Sequence, residues 1–153
     1  PMPNREQLEY KTRKFFNLHW PVDAGKAPDW VHSYKLIGAI PDGDQGGCYA
    51  LLKDNGICYV GSGTSRGSGI YINHGLGRRL IAHVLSQDKS VHAAISERKF
   101  KFRLKWQHCS SLSTIKFPPD YIYLAVALES YLIHELSPPP PDNVVGRTTV
   151  GKS

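Results

Sequence analysis

At 153 residues, with 41% hydrophobic content, 21% charged content and three tryptophans, the chain is sized and composed for one folded domain with a real core, not for a disordered segment. No apolar run approaches the ~18 residues of a membrane span and no secretory apolar region opens the chain, so a soluble protein of the cytoplasm or nucleus, with no membrane partner, is expected. The net charge of +6 is gathered in residues 62–116, where ten Lys/Arg stand against Asp88 and Glu97; counterion release favours a polyanionic partner, with an inert basic surface as the plain alternative.

Cys48, Cys58 and Cys109 are odd in number and contain no CxxC pair, and the seven histidines have neither HExxH nor knuckle spacing. Neither a disulfide framework nor a zinc finger is expected. Pro1 ahead of Met2 reads as an added residue, with the native start at Met2.

In chain order, residues 4–20 carry Leu8, Tyr10, Phe15, Phe16 and Leu18 among charged side chains, with Asn4 as a helix cap. An amphipathic helix is predicted there, serving packing, with Arg5, Lys11, Arg13 and Lys14 available to phosphates. Residues 21–46 mix Pro, Gly and Asp around residues 30–40, which predicts loops with one short strand or helix and no chemistry.

Residues 47–61 read GCYALLKDNGICYVG, two β-like runs around Asp54-Asn55-Gly56, a strong hairpin signal. Side chains alternate along strands, so loop length decides whether Tyr49 and Tyr59 share a face. A two-residue loop would separate them. A three-residue loop with Gly56 in the left-handed position pairs Lys53 with Ile57 and Leu51 with Tyr59, and brings the tyrosines together; that register is expected.

Gly47-Cys48-Tyr49, followed by Tyr59-Val60-Gly61, resembles the GIY-YIG nuclease signature, with Cys for the middle Ile and Val in the second triplet. The resemblance implies an α+β fold with a small central three-stranded, mainly antiparallel sheet flanked by helices. On this reading residues 1–46 form a helical and loop extension packed on the core, residues 47–146 the nuclease core, and residues 147–153 a tail. A plain hairpin with two packed tyrosines is the competing reading.

After Gly61, residues 62–69 read as a polar loop containing Arg66, either a DNA contact or simple surface, and longer than in the shortest family members. A second literal triplet, Gly69-Ile70-Tyr71, lacks a partner triplet at hairpin spacing and is a decoy. Residues 76–87 place Leu76, Leu80, Ile81, Val84 and Leu85 at helical spacing. Arg79 and His83, four apart on one helix face, match the family's helical Arg and His; Arg78 competes for the first role but points about 100° away.

Phe100, Phe102, Leu104, Trp106 and His108 alternate with Lys101, Arg103, Lys105 and Gln107, predicting the third strand of the sheet. Its basic face, with Arg98 and Lys99 ahead of it, would lie along a phosphate backbone or face water. Residues 109–119 read as a loop, with Asp120 as cap of an apolar, largely buried helix over residues 121–136. Glu129, in its middle, needs a cation, a metal or a raised pKa, since an unpaired buried carboxylate costs several kcal/mol. Glu129, the Pro-rich residues 137–141 and Asn143 match the family's closing pattern of metal-binding Glu, helix end, Pro-rich loop and Asn; Glu135 is the rival, at a helix end where charge is easily solvated.

The resemblance thus implies a divalent-metal-dependent endonuclease hydrolysing DNA phosphodiesters. Glu129 would hold Mg²⁺, or Mn²⁺ as substitute, and Arg79 the scissile phosphate. Tyr49 would be the general base and Tyr59 the orienting group, with the two roles exchangeable; His83 would relay a proton, Asn143 would position, and His92 would assist. Arg66, Arg78, Arg98, Lys99, Lys101, Arg103 and Lys105 would contact nucleic acid. DNA, branched or of a specific duplex sequence, is the expected partner, with a homodimer for cutting both strands. A restriction-like enzyme fits better than a homing enzyme, and an excised repair domain also fits. A non-cleaving nucleic-acid-binding module of the same fold, or a structural domain, are the alternatives.

Overall fold

The computed structural model describes residues 2–34, 36, 39–66, 72, 74–87, 98–100 and 109–143. Asn4 opens the first helix, α1 (Arg5–His19), through a capping box: its side-chain oxygen accepts the Gln7 N–H at 2.9 Å, and Gln7 Oε1 accepts the Asn4 N–H at 3.0 Å. The helix then buries Leu8, Thr12, Phe15 and Phe16. The one short element expected before residue 47 is a strand, β1 (Val31–Tyr34). It belongs to the same sheet as the predicted hairpin.

That hairpin is β2 (Gly46–Lys53) and β3 (Gly56–Gly63). Lys53 pairs with Gly56 and Leu52 with Ile57, so the turn is the two-residue Asp54-Asn55, with Asp54 at φ 53°. The expected three-residue turn, closed by a left-handed Gly56, is not formed. Uncorrected, this turn would throw the tyrosines onto opposite faces. The register shifts between Leu51 and Leu52, leaving Cys58 as one extra, unpaired residue of β3, a bulge that restores parity. Leu51 pairs with Tyr59 as expected, and Tyr49 with Gly61.

The sheet is antiparallel and has four strands in the order β1, β6, β2, β3, one more than expected. Its inner strand β6 (Ser111–Phe117) comes from the segment read as a loop. Ser113 is buried there, its hydroxyl 2.7 Å from His32 Nδ1, while Leu112, Ile115 and Phe117 fill the core. The third strand predicted over residues 100–108 lies outside the described residues, save Phe100. Phe100 ends β5 (Arg98–Phe100), which pairs with β4 (Leu85–Gln87) in a separate two-stranded sheet.

Between β3 and β4 lies α2 (Gly75–His83), shorter than expected because the chain leaves the helix at Val84. The last helix is α3 (Tyr123–Glu135). Asp120 sits in a 3₁₀ turn, Pro119–Tyr121, and not at the cap, which is Ile122 and makes no side-chain capping bond. Leu124, Ala125, Leu128, Leu132 and Ile133 are buried, but Tyr123 and Val126 are exposed, so α3 is less enclosed than its composition implied.

Strand alternation sorts the core. Cys48, Ala50, Leu52, Val60, Ile115 and Phe117 meet α1 and α3 on one face. Tyr49, Leu51 and Leu112 meet Leu76 and Leu80 of α2 on the other. Each such Leu or Phe contributes about 1.5–3 kcal/mol by leaving water. The outer edge of β3 is covered along its first half: Ile57 N–H donates to Pro3 O at 2.7 Å and Asp142 N–H to Cys58 O at 2.9 Å. Among the described residues, no helix is long and apolar enough to cross a membrane.

Candidate functional site

Tyr49 lies in the sheet's second core, 1% exposed, its ring stacked on that of Tyr59 with centroids 6.2 Å apart. Its ring lies over Gly61, where a Cβ would stand 2.4 Å from Tyr49 Cζ and 2.5 Å from its oxygen. Two residues on, a Cβ at Gly63 would stand 2.3 Å from Gly75 O and 2.8 Å from Arg79 Cβ. These two glycines let a tyrosine ring and the start of α2 press directly on β3, and that approach sets Arg79 beside the phenols. Arg79 donates a hydrogen bond to Tyr49, and the two phenols lie close enough to perturb each other's ionisation.

Cys48 points to the opposite face. It is fully buried and donates its S–H to Ala125 O at 3.0 Å; burial, and next the charge of Glu129, push its thiol up, so it packs as a small apolar residue.

On that face Ser62, between the two glycines, donates to Glu129 Oε1 at 2.7 Å. A cleft of ≈ 450 Å³ opens there, lined by Ser62, Gly63, Thr64, Ser65, Gly75, Arg78, Arg79 and His83. Glu129 is half-buried, and among the described residues it makes no ion pair. A carboxylate steadied by one hydroxyl, that of the cleft-lining Ser62, fits a hard cation that keeps most of its own waters.

The phenols differ. Burial pushes Tyr49 well above the ordinary phenol value, with Tyr59 and Glu129 adding to the rise and Arg79 opposing it. Tyr59 is half-buried; burial and then Glu129 raise it, while Arg79 and the neighbouring Tyr49 phenol pull it back. Negative charge therefore settles more readily on Tyr59.

Of the predicted site residues, Arg79 and His83 line this cleft, with His83 exposed on the last turn of α2; Glu129 is joined to it through Ser62, and the stacked Tyr49 and Tyr59 through Arg79. Arg78 lines the same cleft despite its different helical angle. Asn143 is 2% exposed and has both amide atoms engaged by one residue: Val60 N–H donates to Oδ1 at 2.7 Å, and Nδ2 donates to Val60 O at 2.8 Å. It holds the backbone between Tyr59 and Gly61. Glu135 is exposed at the helix end, as expected of the rival acid. Arg66 is exposed beyond β3, and Arg98 and Lys99 belong to β5. Lys101, Arg103, Lys105, His92, the triplet at residues 69–71 and the tail at 147–153 lie outside the described residues.

Sequence reasoning missed Ser62, although strand alternation opposite Gly61 predicts its side. A second cleft of ≈ 610 Å³, lined by residues that include Lys26, Asp42, Lys116 and Pro118, carries the ion pair of Lys116 with Asp42 at 3.7 Å and no nucleophile. Comparison of the chain with family models, with curated proteins and with solved structures finds no match.

Proposed function

We propose that the chain is a divalent-metal-dependent DNA endonuclease of GIY-YIG type, its four-stranded sheet a variant of that fold, hydrolysing phosphodiesters by in-line attack of a tyrosine-activated water. The observation carrying this reading is the stacked pair Tyr49 and Tyr59, sensing Glu129 and tied to Arg79, which lines a cleft together with Arg78 and His83.

Tyr59 takes the proton of the attacking water, since it is the more exposed phenol. Tyr49, buried and with its pKa pushed well up, stays protonated, which exchanges the two roles expected from the sequence. Arg79 carries five N–H donors, so after bonding Tyr49 it retains others to hold the scissile phosphate as charge grows on its oxygens. His83, on the rim, exchanges the proton with solvent. Glu129, fixed by Ser62, holds Mg²⁺ or Mn²⁺. When bound, that ion supplies neutralisation of the leaving 3′ oxygen and offsets the carboxylate's push on the phenols. Asn143 acts through Val60 and not on substrate.

Supercoiled plasmid incubated with Mg²⁺ or Mn²⁺ tests this. The wild type nicks or cuts it, leaving 5′ phosphate ends. Glu129→Ala and Arg79→Ala lose cutting, and Tyr59→Phe loses about 10²–10⁴-fold in rate, more than Tyr49→Phe. DNA retardation without cutting by every variant, wild type included, would establish a non-cleaving module instead.

A further inference from the structure

The bulge in β3 has a second effect, away from the cleft. Cys58, the extra residue, is 3% exposed and meets Cys109, just before β6, and Asp142, after α3. One ligand atom from each of the three lies within 4.8 Å of the others. Asp142 is held there by its own backbone, whose N–H donates to Cys58 O at 2.9 Å, and Asn143 clamps the next residue pair. The Met2 thioether covers another side, its sulfur 3.6 Å from Cys58 Sγ.

We propose that Cys58, Cys109 and Asp142 form a binding site for a single Zn²⁺ ion, with water in the fourth position. Two thiolates and a carboxylate are ligands zinc takes together. With Zn–S near 2.3 Å and Zn–O near 2.0 Å, tetrahedral ligands stand about 3.5–3.8 Å apart, so the three atoms need close in by no more than about 1.3 Å. Binding releases both thiol protons to solvent. The ion would staple the N-terminal half of β3, the approach to β6 and the segment after α3. These parts are far apart in sequence, which is why cysteine spacing gave no zinc signal. The site uses none of the groups assigned to phosphodiester hydrolysis, so it stands or falls separately.

The test is titration of the full, reduced, metal-free chain with Co²⁺ under anaerobic conditions, followed by Zn²⁺. One equivalent of Co²⁺ should raise a thiolate-to-cobalt charge-transfer band that one equivalent of Zn²⁺ abolishes. Cys58→Ser and Cys109→Ser should each remove the band, Asp142→Asn should weaken binding at least about tenfold, and Cys48→Ser should leave it unchanged. Absence of the band in the wild type overturns the proposal, as does its persistence in both Cys58→Ser and Cys109→Ser. If those variants fail to fold, the wild-type titration and Asp142→Asn decide: binding undiminished by Asp142→Asn overturns the site as drawn.

Discussion

Substituting Gly61 by Ala probes the packing that organises the tyrosine pair. The new Cβ would meet Tyr49 Cζ at 2.4 Å, its oxygen at 2.5 Å and Cε1 at 2.9 Å, where ordinary contact begins at 3.4 Å. A ring that is 1% exposed has no free space to retreat into, so it or the strand must shift by about 1 Å. Overpacking of this kind costs about 1–3 kcal/mol, offset by roughly 0.5–1 kcal/mol gained from removing a glycine from a strand. A net loss of about 1–2 kcal/mol lowers Tm by roughly 2–8 °C in a chain of this size. Tyr49→Leu deletes all three crowded atoms, so in that background Gly61→Ala should be neutral or slightly stabilising. Urea unfolding of the four proteins of this cycle should therefore give a coupling of at least about 1 kcal/mol. Equal costs in the two backgrounds would show that Tyr49 does not lie over Gly61, and the stacked pair would fall with it.

Two further outcomes follow from the same strand. The Tyr49 phenol is raised above its unfolded value of about 10, so above that pH the folded chain binds more protons than the unfolded one and stability falls as pH rises; below it the contribution is intact. Urea midpoints at about pH 8 and about pH 11 should converge in Tyr49→Phe relative to wild type; an unchanged slope would contradict the burial of that hydroxyl. Asn143→Ala removes two buried hydrogen bonds to Val60 and should cost about 2–4 kcal/mol, with faster amide exchange at Val60; unaltered stability would mean the clamp is not formed.

Much of the site was legible because it rests on local rules. Helical spacing linked Arg79 to His83, alternation governed the hairpin, and Asn4 capped a helix by short-range chemistry. What failed was long-range or compositional. The segment SLSTIKF was read as part of a loop, yet its alternation suited a strand walled in by β1 and β2, where Ser113 finds His32. Glu129 and Ser62 are 67 residues apart, and no pattern in sequence pairs them.

The hairpin exposes a subtler limit. The same-face reading of the tyrosines was reached through a three-residue turn, whereas the chain uses Asp54-Asn55 and then inserts Cys58. Both routes add one residue between the tyrosines, and parity responds only to that count. The difference lies in where the extra residue goes. At the turn it would face solvent; in the bulge it faces inward, carrying a thiol toward Cys109 and Asp142. One inserted residue thus does two geometric jobs, aligning the phenols on one side of β3 and gathering sulfur ligands at its covered edge. A period-two pattern cannot separate these alternatives, because the information sits in the pairing of individual residues and not in the alternation itself.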